Sequence, residues 1–447
     1  KRQDEGYGVS YKGIDYAKSN GFSLIVCLDC GIKAVEKVAY AKNKDVDFII
    51  CDHHRPGGTL PLAEAVLDPK RSDCDYPFKE LCGCGVGFKL AQAYHQQYNL
   101  PFEDLVPLLD LVVVSIAADI VPMIDENRVL SFYGLKQLNA SPRIGLKALM
   151  DVANRKDAFN ISDVVFGLAP RINAAGRIEH GNKAVELLVQ QDFSLAKEKA
   201  DYIDKHNFTR KELDKSITQE ALAMIVPDAN STVVCSERWH KGVVGIVASR
   251  LIETHYRPTI VLTESNGKLT GSARSVRGFD VYNAIDACSD LLEQFGGHKY
   301  AAGLSIREEN YELFKSAFDK VVSERITEAQ KTEVIEIDAE LDFSEITTGF
   351  NNIFKQFEPF GPGNRMPVFR SDNLKVKGKP FELGNEKEHI KLNLTQNYKS
   401  FFSAIGFWLS SKFQLIESKS MFSVAYTIEE NHWKGNSTIQ LKIKDIK

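Results

Sequence analysis

Six consecutive residues, Ile49-Ile50-Cys51-Asp52-His53-His54, join an apolar run to an acid and two histidines. Carboxylate oxygens and imidazole nitrogens suit manganese, magnesium or iron-type divalent ions, whereas a closed structural zinc site draws mainly on thiolates. A second apolar run, Leu24-Ile25-Val26-Cys27-Leu28, also ends in an acid, Asp29. A third candidate, Asp119, closes the apolar stretch that precedes Ile120-Val121-Pro122. An acid at the end of a buried helix must be paired or bind something, because an isolated buried charge is costly. Two adjacent histidines alone are an ordinary loop feature; the strand-end position beside a second acid turns the reading toward a metal site.

Such convergence needs a parallel sheet to arrange it. A short continuous apolar run that follows a helical pattern reads as a fully buried strand. Residues 33–43, between the two runs, have helical spacing with Val35, Val38 and Ala39 on one side. The unit is therefore strand, helix, strand, and its right-handed crossover places both strand ends on one rim of the sheet. Open α/β sheets bind their ligands at that rim.

At 447 residues the chain has room for two or three domains. Its net charge of -4 gives no global signature of nucleic-acid binding, so such binding has to come from local patches. Eight cysteines without disulfide-like spacing, and no secretory signal, predict a reducing cytoplasm. Cys27 to Cys30 is formally a C-x-x-C, but its first thiol falls inside a buried strand and is read as structural. Residues 105–124 are apolar enough to resemble a membrane span, yet Asp110, Asp119 and two prolines interrupt them, which favours a buried helix and its exit.

Along the chain, a helix is predicted at 10–19, a short strand at 63–67 ending at Asp68-Pro69, and a helix at 83–97 opened by Gly83-Cys84-Gly85-Val86-Gly87. That glycine run lacks the Lys-Ser/Thr of a phosphate loop and reads as a packing feature. Residues 127–225 are helical in pattern. Within them, Arg171 and Arg177 stand beside small residues, where a phosphate could approach the backbone; a purely structural arginine pair fits equally well. Residues 193–225 read as one long charged helix connecting domains.

A second α/β domain is predicted at about 230–328. Its Gly271-Ser272-Ala273-Arg274-Ser275 and Phe295-Gly296-Gly297-His298-Lys299 combine glycines with donors and no compensating acid, a set that suits a phosphate-bearing ligand. From about residue 332, short strands at 334–337, 374–377, 390–394 and 439–443, with a helix near 350–357, predict a small closed barrel of the OB type. There Lys391, Lys399, Phe401, Phe402, Phe407, Trp408 and Trp433 interleave bases with aromatics, as a surface for stacking single strands would. A barrel core needs aromatics as well.

Taken in order, these motifs resemble the DHH phosphoesterase family, and within it the bacterial exonucleases specific for single-stranded DNA. The likeness rests on Leu28-Asp29-Cys30-Gly31-Ile32, Asp52-His53-His54, Ala118-Asp119-Ile120-Val121-Pro122 and the 170–177 segment. It continues through the 271–275 and 296–303 segments to Phe357-Glu358-Pro359-Phe360-Gly361-Pro362-Gly363-Asn364. It implies a parallel-sheet DHH domain at 1–190, a connector helix at 191–229, a DHH-associated α/β domain at 230–330 and an OB-like nucleic-acid-binding domain at 331–447. It implies a two-ion Mn2+ or Mg2+ site held by Asp29, His53 and Asp119, with Asp52 and His54 completing a catalytic motif and His54 near the scissile phosphate. Arg171, Arg177, Ser272, Arg274, Gly296, Gly297 and His298 would contact DNA.

The implied activity is removal of 5′-mononucleotides from single-stranded DNA in the 5′→3′ direction, in DNA repair and recombination. The implied setting is a cytoplasmic monomer, free of membranes, working with a helicase and a single-strand-binding protein. One departure stands out: the family's first motif, Asp-x-Asp at the end of the first strand, has no equivalent in this chain and is expected upstream of Lys1. The chain as written is therefore expected to be weakly active or inactive. Two other readings stay open. One is a phosphodiesterase for small nucleotides, of the oligoribonuclease or cyclic-dinucleotide type, against which the extra barrel argues. The other is an inactive single-strand-binding relative, against which the retained acids and histidines argue.

Overall fold

The computed structural model describes residues 8–155, 157–178, 181–418, 421–433 and 436–447. They form two compact units. One holds the chain up to Pro170 together with Leu187–Lys197 and Ile335–Lys447; the other holds Arg171–Glu186 and Glu198–Val334.

The first unit begins with helix α1 (Tyr11–Ser19), strand β1 (Leu24–Leu28), helix α2 (Val35–Lys42), strand β2 (Asp47–Cys51) and strand β3 (Ala65–Leu67). The three strands are parallel, in the order β1-β2-β3. The Ser10 side chain starts α1 by accepting the Gly13 N–H at 3.0 Å, one of the donors a helix terminus leaves free. Ile14 and Ala17 of α1, Val38 and Ala41 of α2, and Phe48 and Ile50 of β2 are buried together. Their spacing is helical on the helices and alternate on the strand, which is why each element offers this core one face. The ladder runs on past the strands: the Asp29 N–H donates to the Cys51 carbonyl at 2.8 Å and the Asp52 N–H to the Leu67 carbonyl at 2.9 Å. Both acids therefore leave the sheet at the same rim.

Helix α3 (Gly83–Gln97), a 3-10 turn (Phe102–Leu108), helix α4 (Leu109–Asp119) and helix α5 (Asp125–Ala140) follow. The apolar stretch at 105–124 thus resolves into a turn, an 11-residue helix and its exit. No helix among the described residues is long and apolar enough to cross a membrane. Helix α6 (Ala169–Ile178) carries Arg171 and Arg177. Helix α7 (Phe193–Ala223) runs for 31 residues.

In the second unit, strands β4 (Thr232–Cys235), β5 (Thr259–Ser265), β6 (Lys268–Arg274), β7 (Gln294–His298) and β8 (Ala301–Ile306) form a sheet ordered β4-β5-β6-β8-β7. Only the β4–β5 pair among them is parallel. One core joins Ile260, Leu262 and Leu304 to Phe314 and Phe318 of helix α9 (Tyr311–Arg325); another joins Ile217 and Ala221 of α7 to Trp239, Val247 and Leu251, the last two on helix α8 (Val244–Thr254).

The OB part belongs to the first unit. Strands β9 (Ala339–Glu340), β10 (Phe369–Val376), β11 (Phe381–Leu383), β12 (His389–Thr395), β13 (Phe401–Gly406), β14 (Phe422–Trp433) and β15 (Asn436–Ile446) are ordered β11-β12-β13-β15-β14-β10-β9, and β10 also pairs with β12. Helix α10 (Thr348–Phe354) packs Phe354 into a core with Phe343, Leu392 and Tyr426. The strand predicted at 334–337 is absent; the pairing falls instead on Ala339 and Glu340. Val334 is 61% and Ile337 38% exposed, so neither side chain has a core to face.

Asp110, on the first turn of α4, is buried at 1% side-chain exposure. Arg143 answers it, with its Nε at 2.9 Å, its Nη2 at 2.8 Å and its backbone N–H at 2.9 Å. Removing one partner of a buried ion pair strands the other charge, at a cost of about 3–5 kcal/mol. Arg143→Ala is accordingly expected to lower unfolding stability by about that much in urea titration, and a loss below about 1 kcal/mol would contradict this view of the pair.

Candidate metal centre

The centre grows from Asp52. Only 1% exposed, its carboxylate accepts the Ile32 N–H at 2.9 Å, the His53 N–H at 2.8 Å, the His54 N–H at 3.2 Å and a contact from His54 Nδ1 at 2.7 Å. Burial by itself pushes the Asp52 pKa up; the Ile32 amide and the His53 and His54 donors outweigh it and leave the carboxyl below its ordinary value. An ionised carboxylate can only accept, so the contact requires a proton on His54 Nδ1. Both oxygens of Asp52 are thus occupied, and its geometry is that of a positioning group that shapes the loop from the strand end to His54.

His53 projects into a different setting. Its Nε2 lies 3.1 Å from an Asp29 carboxylate oxygen and 3.2 Å from one of Asp119. His53 is 6% exposed, and both of its ring nitrogens are buried without a well-formed hydrogen bond. The two carboxylates are partly open, with side-chain exposures of 51% and 42%. Burial works to lower the His53 pKa, but Asp29 and Asp119 overcome it and raise it; burial, then Asp29, raise that of Asp119. Asp29, His53 and His54 each offer a ligand atom within 4.8 Å of the others. A buried imidazole nitrogen close to two carboxylates, with no satisfactory partner of its own, fits a divalent cation with oxygen and nitrogen ligands.

Asp29 has a left-handed backbone (φ 64°), which turns the chain sharply out of β1. At Gly83, the first residue of α3, an added Cβ would collide with the Cβ and carboxylate of Asp29. Ile120, immediately after Asp119, is also left-handed (φ 56°), which for a β-branched residue stores about 1–3 kcal/mol and persists only where its surroundings hold it.

Sequence reasoning passes over two features here. In the sequence Gly83 reads only as part of a glycine run, because its closeness to Asp29 spans more than fifty positions. Asp68, 3% exposed at the end of β3, keeps an unpartnered Oδ2, and burial raises its pKa. A third acid at a third strand end is its signal.

The other predicted residues divide by unit. In the second unit, the register aligns Ser272 with Gly303 and Gly296, and Arg274 with Ala301 and His298, so Ser272, Arg274 and His298 share one face of the sheet. Arg274 Nη1 donates to Ser272 Oγ at 2.7 Å, and an added Cβ on Gly245 would meet both side chains at 3.2 Å. Gly297 (φ 152°) has no room for a Cβ against Ala301 and Ala302. Arg171 is ion-paired through Nε to Asp204 at 2.8 Å, and the Arg177 side chain lies outside the described residues.

In the OB part, Trp408 is 74%, Phe407 44% and Phe401 40% exposed, and Lys391 and Lys399 also lie on the surface. Phe402 differs from the expectation of a stacking residue: it packs edge-on against Phe343 at 5.0 Å, because neighbours on a strand face opposite ways. The Trp433 side chain lies outside the described residues. Three cations that the sequence pattern did not single out stand over aromatic rings: Lys377 over Phe401 at 3.9 Å, Lys375 over Tyr398 at 5.4 Å and Lys442 over Phe407 at 5.7 Å.

The contact between Gly83 and Asp29 generates a test. Gly83→Ala has to displace Asp29, and it is expected to weaken Mn2+ binding, measured by calorimetry, by about tenfold or 1.4 kcal/mol. Unchanged affinity would remove Asp29 from the centre.

Residues 3–116 match the DHH family, N-terminal domain; residues 228–324 match the DHHA1 domain; residues 337–445 match the RecJ OB domain. The chain is 38% identical over 450 residues to the single-stranded-DNA-specific exonuclease RecJ of Bacillus subtilis, covering 99% of this chain and 56% of that protein. It is 33% identical over 467 residues to the protein of the same name from Haemophilus influenzae, covering 99% of this chain and 80% of that one. The chain thus spans little more than half the length of the first relative. Among solved structures, RecJ of Thermus thermophilus in complex with Mn2+ superposes with a TM-score of 0.85 at 26% identity, over 98% of this chain and 63% of the other. An exonuclease RecJ bound to manganese superposes at 0.62 with 32% identity, over 73% of this chain and 81% of the other. With DHH, DHHA1 and OB segments in this order and such identity along its whole length, the chain belongs to the RecJ family.

Proposed function

We propose that this protein is a metal-dependent 5′→3′ exonuclease on single-stranded DNA that releases 5′-mononucleotides. The observation that carries the reading is the buried His53 Nε2 facing the carboxylates of Asp29 and Asp119 without a satisfactory hydrogen bond. Structures of relatives hold Mn2+ or Mg2+, and the same donor types suit either ion here. Asp29, His53 and Asp119 would hold the metal, which when bound lowers the pKa of a water and neutralises charge on the phosphoryl group.

The chain's own residues supply the remaining requirements. Asp52 keeps a proton on His54 Nδ1, which leaves Nε2 to take one from the water that attacks the scissile phosphate. Ser272, Arg274 and His298 present hydroxyl, guanidinium and imidazole on one face of the second sheet, where a strand's phosphates would be gripped by charge and donors rather than by base identity. Phe401, Phe407, Trp408 and Tyr398, with Lys375, Lys377 and Lys442 beside them, form a stacking surface tolerant of any base. A small-nucleotide substrate has no use for that surface, which favours the long strand. On this reading the protein works as a cytoplasmic monomer in DNA repair and recombination, on strands supplied by a helicase and a single-strand-binding protein.

The test uses the protein expressed over its entire reading frame, with single-stranded DNA labelled at either end, Mn2+ or chelator, and a His53→Ala variant. The expected result is metal-dependent release of mononucleotides from the 5′ end, with none above the chelator control in the variant. Cleavage confined to dinucleotides, or undiminished cleavage by the variant, would overturn the proposal.

A further inference from the structure

The segment Phe357–Asn364 of the OB part is a compact hook. Gly361 and Asn364 exchange backbone hydrogen bonds at 2.9 and 3.0 Å, and the Asn364 side chain donates to the Phe357 and Pro359 carbonyls at 2.8 and 3.0 Å. The hook is fastened to the turn that follows Asp119. The Met123 N–H donates to the Pro362 carbonyl at 2.6 Å. Arg128, on the first turn of α5, donates from Nη2 to the Gln356 carbonyl at 2.7 Å and the Glu358 carbonyl at 3.3 Å, and from Nε to the Phe357 carbonyl at 3.3 Å. The approach is close enough to require glycine: an added Cβ on Gly361 would meet Met123 Cβ at 2.9 Å, and one on Gly363 (φ 79°) would meet Ile124 Cγ2 at 3.1 Å.

The turn held in this way is a strained one. Ile120 and Asp125 both have left-handed backbones (φ 56° and 43°), and they bracket the four residues between them. From the other side, the buried Asn127 side chain donates to the Pro122 carbonyl at 2.9 Å and to the Glu80 carbonyl at 2.6 Å. A β-branched residue does not hold a left-handed conformation unless its surroundings impose it. The strained residue adjoins Asp119, and the turn that carries it is bonded to the hook through Met123.

We infer that the hook holds Asp119 in place for the metal, so that Arg128 is a positioning residue and the OB part is coupled to the metal centre as well as offering a surface to DNA. This rests on the reading of Asp119 as a metal ligand. Coupling is reciprocal: whatever the hook contributes to metal affinity, the metal returns as protection of the hook.

The experiment measures two quantities on the full chain: Mn2+ affinity by calorimetry, and hydrogen–deuterium exchange of peptides covering 120–128 and 357–364 with and without Mn2+. Saturating Mn2+ is expected to slow exchange in both peptides of the wild type, but not in Asp119→Asn. Arg128→Ala is expected to weaken Mn2+ binding about tenfold, with partial recovery in Arg128→Lys, which keeps a donor for the carbonyls. If the wild type binds Mn2+ and Asp119→Asn does not, while Arg128→Ala binds as the wild type and exchange at the hook ignores the metal, the coupling is wrong and the metal reading stands. If Asp119→Asn binds Mn2+ as the wild type does, both are wrong. The exchange comparison needs no variant at Arg128, so it decides the matter even if Arg128→Ala fails to fold.

Discussion

A carboxylate taken out of water has to be surrounded by donors, and Asp52 is satisfied by three backbone amides and one imidazole. Ile32 belongs to the loop after β1, while His53 and His54 follow β2, so one side chain ties two strand ends together. His53 is thereby directed toward Asp29, and His54 keeps a proton on Nδ1. Neutralising Asp52 would weaken four hydrogen bonds together and release two loops. The sheet beneath contributes the complementary constraint, by carrying its ladder past β1 and β2 so that Asp29 and Asp52 emerge side by side.

The third acid reaches the centre by another route. Asp119 ends a helix whose burial is secured by Val112, Val113 and Ile116, and the residue after it adopts a conformation that its own chemistry disfavours. Precision at Asp119 therefore comes from contacts made by Met123 and Arg128 to a distant part of the chain. Two carboxylates from different elements, one delivered by strand register and one by a clamped helix exit, meet across a single imidazole. Stabilising features lie at the edges of this arrangement, while its centre keeps a buried nitrogen without a good partner, the usual mark of a site arranged for something other than stability.

Much of this is legible in the sequence because it follows from local pattern. Apolar runs of strand length, broken by acids and separated by a helical stretch, require the βαβ arrangement, and the strand ends follow from it. The end of α4 at Asp119 is equally plain, because Ile120-Val121-Pro122 cannot continue a helix easily. What escapes depends on contacts between distant positions. The closeness of Gly83 to Asp29, the pairing of Arg171 with Asp204, and the cations over Phe401 and Phe407 are set by packing and cross-strand register, which no local spacing encodes. Phe402 is misplaced on the surface when bases and aromatics are counted along the chain without separating the two faces of β13. The strand predicted at 334–337 has β-branched residues but no core to cover.

The central claim is that Asp29, His53 and Asp119 are arranged around a metal ion. The most direct measurement is anomalous diffraction at the manganese edge from crystals grown with Mn2+. The account predicts a peak bonded to His53 Nε2 and to carboxylate oxygens of Asp29 and Asp119, with Asp52 outside its coordination shell. A peak elsewhere, or none at an Mn2+ concentration that saturates binding in solution, would contradict it.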